Sequence, residues 1–223
     1  MTAFISDVHG NFPALLAVFD ELDALGIREV ISLGDTAGYY PMINECVDLM
    51  RKRSVKSILG NHDHYLVNGI SSDRSATVNS AIEYQRVVIS AGNFSWLKNA
   101  PLFFDEPDFF AVHGGICDYL EEYTTAPVFT ESGGRALFLC GHTHMQQLSE
   151  RNGKVFCNPG SVGQPRDGDP KAAFAVLYEN GKIELRRTAY DIDRIADATE
   201  AAGFERRFYE GLYSGSPISR RRE

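Results

Sequence analysis

The chain has 223 residues, 43% of them hydrophobic, enough to bury a sizeable core in a single α/β or all-β domain. Its formal charge of −8 argues against sequence-independent nucleic-acid binding, which needs a basic face, but leaves room for an anionic ligand if cations invert the local charge. No apolar run reaches membrane-span length and "MTAFISDVHG" lacks the features of a secretory signal, so a cytoplasmic location without membrane contact is expected.

"TAFIS" is a short apolar run and reads as a buried strand. After the loop "DVHG" a helix is expected, with Phe12, Leu15, Leu16, Phe19, Leu22 and Leu25 on one face. Asn11 is its N-cap and Gly26 its stop. "EVISL", the loop "GDTAGYYP" and a helix over 43–53 follow, and then "VKSIL", which ends in "GNHD". Strand, loop and helix in repetition indicate βαβ units. Residues 73–99 read as mostly helical. Beyond 102 the chain turns strand-rich in "FFAVHGG", "LFLCGHTH" and "KVFCNPGS", and 173–178 pairs with 182–187 as a hairpin around "ENGK". A helix from Asp193 to about Ala202 is expected, with another helix near 205, and "SGSPISRRRE" reads as a frayed tail. The four cysteines, at 46, 117, 140 and 157, form no CxxC pair and read as free thiols of a reduced compartment. One domain, 1–223, is expected, its last segment 191–223 helical and then frayed.

Each place where a strand ends carries a residue able to bind a metal: Asp7 and His9, Asp35, Asn61 and His62, His113, and His142 and His144. Open α/β sheets bind ligands at the carboxyl ends of their strands, so these segments can converge on one crevice. In extended backbone, positions i and i+2 face the same way, which would pair Asp7 with His9 and His142 with His144. A lone histidine after a strand is more often a satisfied polar group. Here five of six histidines fall in such motifs, and the sixth, His64, adjoins one in "GNHDH" and is read as support or surface rather than as a ligand.

The ordered set D-x-H, G-D, G-N-H-D, H-G-G and G-H-T-H resembles the calcineurin-like metallophosphoesterase superfamily over about residues 4–190. The resemblance implies a four-layer αββα sandwich of two mixed sheets flanked by helices. It also implies Asp7, His9, Asp35 and His144 around one metal, with Asp35 bridging to a second held by Asn61, His113 and His142. Two divalent ions in such a site acidify a bridging water for in-line attack on phosphorus. His62 would face the phosphate and, protonated, stabilise the transition state or the leaving alkoxide. Asp63 would either orient the His62 ring or cap its loop. The donor set suits Mn, Fe, Zn, Co or Ni, and the resemblance puts Mn²⁺ first.

Thr36, Ala37, Gly38 and Tyr39 follow Asp35 with no acid and no Arg, unlike the protein serine/threonine phosphatases of this superfamily. The length, "GDTAGYYP" and "NPGSVGQPRDGDP" resemble the small prokaryotic phosphodiesterase branch instead. Tyr40 stands where many relatives have glycine; it would narrow the mouth or stack on a base, or else be a surface aromatic. The Gly-rich loop that carries Asn158, Ser161 and Arg166 can offer N–H groups to an anion; Asn158 and Arg166, with Tyr39 from "GDTAGYYP", are the substrate-side candidates. For Arg166 the competing reading is a bond to loop carbonyls. The expected activity is a phosphodiesterase on a small phosphorylated molecule, nucleotides included. The alternatives are a dinucleoside-polyphosphate hydrolase, a phosphomonoesterase and a non-catalytic metal-stabilised scaffold. Stable nucleic-acid binding is not expected, and a homo-oligomer is left open.

Overall fold

The computed structural model describes residues 1–73, 75–127 and 136–218. In chain order the elements are β1 (Thr2–Ile5), α1 (Phe12–Ala24), β2 (Glu29–Ser32), α2 (Ile43–Lys52), β3 (Lys56–Ser57), α3 (Asn61–Asn68), α4 (Ala76–Val88) and α5 (Ala91–Lys98). There follow β4 (Phe103–Asp105), β5 (Phe109–Val112), β6 (Leu137–Leu139), β7 (Gln146–Arg151), β8 (Lys154–Pro159), β9 (Ala172–Leu177), β10 (Ile183–Thr188) and α6 (Ile192–Ala201). Two short 3₁₀ helices, Arg206–Phe208 and Glu210–Ser214, stand where a further helix is expected near 205. The arginines of the expected frayed tail, 220–222, lie outside the described residues.

Two mixed five-stranded sheets form an α/β sandwich flanked by helices, in the orders β10-β9-β1-β2-β3 and β4-β5-β6-β8-β7. In the first, β1, β2 and β3 run parallel and the β9–β10 hairpin pairs antiparallel to β1. In the second, β5, β6 and β8 run parallel, with β4 and β7 antiparallel at the edges.

Strand alternation divides the apolar side chains between layers. On β1, Ala3 and Ile5 join the α1 residues Leu15, Val18, Phe19 and Leu22 in one core. Phe4, between them, points the other way. With Ile31, Leu33 and Ile58 it meets Ala111, Leu137, Leu139 and Cys157 of the second sheet. Removing a buried aromatic such as Phe4 would cost about 3–5 kcal/mol. The far face of the second sheet carries Val112, Phe138, Cys140 and Phe156, covered in part by Ile116 and Tyr119.

Asn11 caps α1 by accepting from Ala14 N at 3.2 Å, and Gly26 follows its end at φ +70°. The third strand is only two residues long, although Ile58 N still donates to Ser32 O at 3.1 Å. "GNHD" differs from the expected strand-end loop: it opens α3, with Asn61 as the first helical residue and Gly60 as N-cap. The four cysteines are free, and no helix among the described residues is long and apolar enough to cross a membrane.

Candidate metal centre

Pairing continues past the ends of the strands. Asp7 N donates to Gly34 O at 3.0 Å, His9 N to Asp35 O at 2.9 Å and Gly10 N to Thr36 O at 2.9 Å, so the first two loops run side by side. Gly141 N donates to His113 O at 2.8 Å, joining the loops of the second sheet in the same way. Asp7, His9, Asp35, His142 and His144 all have φ between +52° and +65°. The pairs at i and i+2 therefore converge through left-handed turns, not through the extended backbone expected from sequence. Such residues cost of order 1–3 kcal/mol each and persist where surrounding bonds over-determine them; here the loop ladder does so.

These turns bring seven side chains together, each 5% exposed or less. His9 Nε2 lies 3.0 Å from His144 Nε2, and Asp7 Oδ1 lies 3.7 and 3.3 Å from those two nitrogens. Asp35 Oδ2 is 3.7 Å from His9 Nε2 and 3.3 Å from His113 Nε2. His113 Nε2 is in turn 3.1 Å from Asn61 Oδ1 and 3.2 Å from His142 Nδ1. The Nδ1 atoms of His9, His113 and His144 lie 2.8, 2.8 and 2.6 Å from the carbonyls of Ala37, Leu33 and Gln164. A carbonyl only accepts, so each Nδ1 carries a proton and each ring turns its Nε2 inward, where a neutral ring offers a lone pair.

With neutral rings the result is acceptor facing acceptor. Among the described residues, Asp7 Oδ1 and Asp35 Oδ2 are buried with no hydrogen-bond partner. Buried polar atoms are nearly always paired, and converging lone pairs without a donor fit a cation. The groups Asp7–His9–His144 and Asp35–His113–His142 each bring ligand atoms within 4.8 Å of one another, and Asp35 also groups with His9 and His62. Imidazole nitrogens with carboxylate oxygens are the donor set of a divalent transition metal.

The charges respond accordingly. Burial opposes ionisation of Asp35, but His113 and His62 outweigh it and hold the carboxyl well below its usual range. Burial likewise opposes charge on His113, and the Asp35 carboxylate beside it pushes the imidazolium up to about 10. Burial holds His62 down to about 3, against the pull of Asp35 and with the help of His9 and His113.

His62, at the start of α3, sets its ring 4.7 Å from that of His9 and 4.9 Å from that of Tyr39. Asp63 does not orient this ring. Its oxygens accept from Ala37 N at 2.8 Å, Gly60 N at 3.1 Å and Thr36 N at 3.3 Å, so it caps the loop and belongs with the supports rather than with the catalytic candidates. Burial and Asp35 raise its pKa to about 6, against those N–H bonds. Gly38 is required where it stands: a Cβ there would lie 2.4 Å from Nδ1 of both His9 and His62. Gln85 of α4 grips that loop, accepting from Gly38 N at 2.8 Å and donating to Gly38 O at 2.6 Å and Tyr40 O at 2.7 Å. Sequence reading missed Gln85, and a glutamine inside a helix carries no local signal of such a role.

A cavity of about 80 Å³ opens over the cluster, with Tyr39, Tyr65, Tyr123 and Arg166 among the residues around it. Among the described residues, the Arg166 side chain binds no loop carbonyl. Its Nε and Nη2 donate to Gln164 Oε1 at 3.1 and 2.6 Å, and Nη2 also to Tyr39 Oη at 2.9 Å. Asn158 does not line the cavity. Its amide donates to Gly141 O at 2.8 Å and Thr143 Oγ1 at 3.0 Å and accepts from Gly160 N at 2.9 Å, so it holds the turn before His142 and His144. The loop after β8 spends Val162 N on Ser6 O and Gly163 N on Asp7 O, bracing a ligand loop rather than offering those donors to an anion. Tyr40 is neither at the mouth nor on the surface. It is 1% exposed in the helical core, and its hydroxyl accepts from Gln164 Nε2 at 3.2 Å. His64 is half-buried and faces Asn68, with its Nδ1 3.0 Å from the amide nitrogen, and it joins none of the candidate ligand groups. Tyr65 and Tyr123 at the cavity were not singled out as site residues: a tyrosine on a helix or in a loop reads first as packing or surface.

Comparison with known proteins agrees with this geometry. Residues 1–182 match the calcineurin-like phosphoesterase superfamily domain. The chain is 34% identical over 220 residues to the uncharacterized protein MJ0912 of Methanocaldococcus jannaschii, covering 87% of this chain and 89% of that one. A metallophosphoesterase from Sphaerobacter thermophilus superposes with a TM-score of 0.79 at 28% identity, over 96% and 98% of the two chains. The hypothetical protein PH1004 from Pyrococcus horikoshii shares the fold at a TM-score of 0.82 and 19% identity, over 97% and 99%. The motifs, the converging ligands and the family match together make this chain a member of the calcineurin-like phosphoesterase superfamily and a metallophosphoesterase-type hydrolase.

Proposed function

We propose that the protein is a metal-dependent phosphodiesterase that hydrolyses a small phosphorylated substrate using two divalent ions, Mn²⁺ being the first to test. The observation that carries this reading is Asp35 Oδ2, buried, unpartnered and within 4 Å of nitrogens from both ligand groups. Asp7, His9, Asp35 and His144 would hold one ion, and Asp35, Asn61, His113 and His142 the other. Bound there, divalent ions acidify water and neutralise phosphoryl oxygens.

The chain's own side chains supply the rest. Arg166 and Tyr39, joined at the cavity wall, present a guanidinium and a phenol to a phosphate. His62 sets Nε2 3.9 Å from Asp35 Oδ2, where it can give a proton to a departing alkoxide. Burial disfavours its charged form, so imidazolium there draws on the negative charge that a phosphate brings. A cavity of about 80 Å³ favours a small leaving group over a dinucleoside polyphosphate, since pockets for larger ligands run to roughly 300–1,000 Å³. A phosphomonoester would use the same groups. The complete ligand set weighs against a non-catalytic scaffold.

The test is hydrolysis of bis-p-nitrophenyl phosphate and p-nitrophenyl phosphate by metal-stripped protein with Mn²⁺, Zn²⁺, Ni²⁺ or Mg²⁺ restored. Diester cleavage that needs metal, and is lost in His62→Ala and Asp35→Ala, is the expected result. Full metal binding without turnover of either ester would replace this reading with the scaffold.

A further inference from the structure

Gln164 joins the ligand cluster to the cavity wall. Its backbone carbonyl lies 2.6 Å from His144 Nδ1, and its amide oxygen receives both Nε and Nη2 of Arg166. Its amide nitrogen donates to the Tyr40 hydroxyl at 3.2 Å. Gln164 is 1% exposed and Tyr40 likewise, so water does not substitute for either partner.

This wiring has a directional consequence. A guanidinium is a planar fork of donors, and a buried one must meet acceptors in that plane. Gln164 meets the Nε–Nη2 edge with an oxygen only while its NH₂ group points away, and the Tyr40 hydroxyl is what receives that NH₂. Without the hydroxyl, the amide keeps a buried donor unpaired unless it rotates. Rotation would set NH₂ against guanidinium and release Arg166 from its plane. Tyr39 holds the same Nη2, and its ring lies 5.6 Å from the guanidinium carbon. The bonds to Gln164 and Tyr39 use Nε and Nη2; Nη1 carries none of them.

We propose that Tyr40 and Gln164 are positioning residues that lock Arg166 into one orientation at the metal-site cavity, so that it grips a phosphoryl group. The inference rests on the phosphoesterase reading for the identity of the ligand. It is tested by binding, which needs no turnover. Tyr40 thus acts from inside the core on a contact it never makes.

The experiment uses the full-length, metal-loaded protein and inorganic phosphate as the probe, with affinity from calorimetry and KM and kcat for bis-p-nitrophenyl phosphate alongside. Tyr40→Phe removes one oxygen and keeps the ring. It is expected to weaken phosphate binding about tenfold, equivalent to about 1.4 kcal/mol. KM should rise by a similar factor with kcat little changed and metal stoichiometry unaltered. Gln164→Met, a second variant of similar volume, should do the same. In an Arg166→Ala background, Tyr40→Phe should have no further effect on phosphate affinity, which a merely structural role would not produce. Phosphate binding within twofold of wild type in Tyr40→Phe overturns the proposal. So does an effect of full size in the Arg166→Ala background, or a wild-type protein that binds no phosphate. Phosphate binding with this pattern in a protein that cleaves no ester would sink the phosphodiesterase reading and leave the positioning role standing.

Discussion

Asp35 and His62 are joined through the main chain: the His62 N–H donates to Asp35 Oδ1 at 2.9 Å, and Oδ2 is left buried with no donor. The first turn of α3 thus ties down one oxygen of the carboxylate and aims the other at the histidines. A helix N-terminus favours negative charge, which helps keep the carboxylate ionised at full burial.

Asp35→Asn keeps an acceptor for that N–H and removes the charge shared by the two ligand groups. Metal content is expected to fall by at least one ion per chain. Hydrolysis should fall by more than about 100-fold, since even outer partners of metal ligands cost 10–100-fold. The metal-free fold should survive, because a buried charge is lost rather than gained. Elemental analysis beside circular dichroism decides, and unchanged metal content would take Asp35 out of the ligand set.

His62→Gln separates catalysis from metal binding. The expected outcome is kcat lower by about 10²–10⁴-fold with metal stoichiometry intact, the range for loss of a general acid or base. Metal titration and steady-state kinetics on one preparation would read both. A loss of metal parallel to the loss of rate would make His62 a ligand instead.

Chelation should destabilise the protein. Stripped of cations, the site leaves the buried carboxylates of Asp7 and Asp35 packed against imidazoles with no bound cation among them. Restoring metal at 100 times its Kd should add about 2.7 kcal/mol per site. Thermal melts across a metal titration would show Tm rising with metal concentration; a flat response would mean that the site does not bind in the folded state.

Gln85→Leu leaves Gly38 N, Gly38 O and Tyr40 O without their amide partner in a buried place. At roughly 1–3 kcal/mol for each unsatisfied group, tempered by relaxation, a loss of at least about 2 kcal/mol is expected. Activity should fall with it, because the same loop presents Ala37 O to His9. Urea denaturation and diester hydrolysis together test this. Wild-type values in both would show that the loop holds itself.

Sequence alone marked the side chains that converge in the structure and most of the frame. Asp7, His9, Asp35, Asn61, His62, His113, His142 and His144 were legible because strand-end motifs place chemically distinctive residues at fixed local spacing. The cap at Asn11 and the β9–β10 hairpin were legible for the same reason, since apolar periodicity and turn residues act over a few positions. Tertiary structure decided what those residues do to one another. Left-handed turns at five candidate ligands, imposed by neighbouring loops, aim the side chains, and single-sequence periodicity does not register that geometry. It also moved Asp63 and Asn158 from chemistry to support and drew Tyr40 into the core. Gln85 reaches Gly38 across 47 residues, and Gln164 reaches Tyr40 across 124. Hydrogen bonds spanning such separations depend on where whole elements pack, which no local run of residues records.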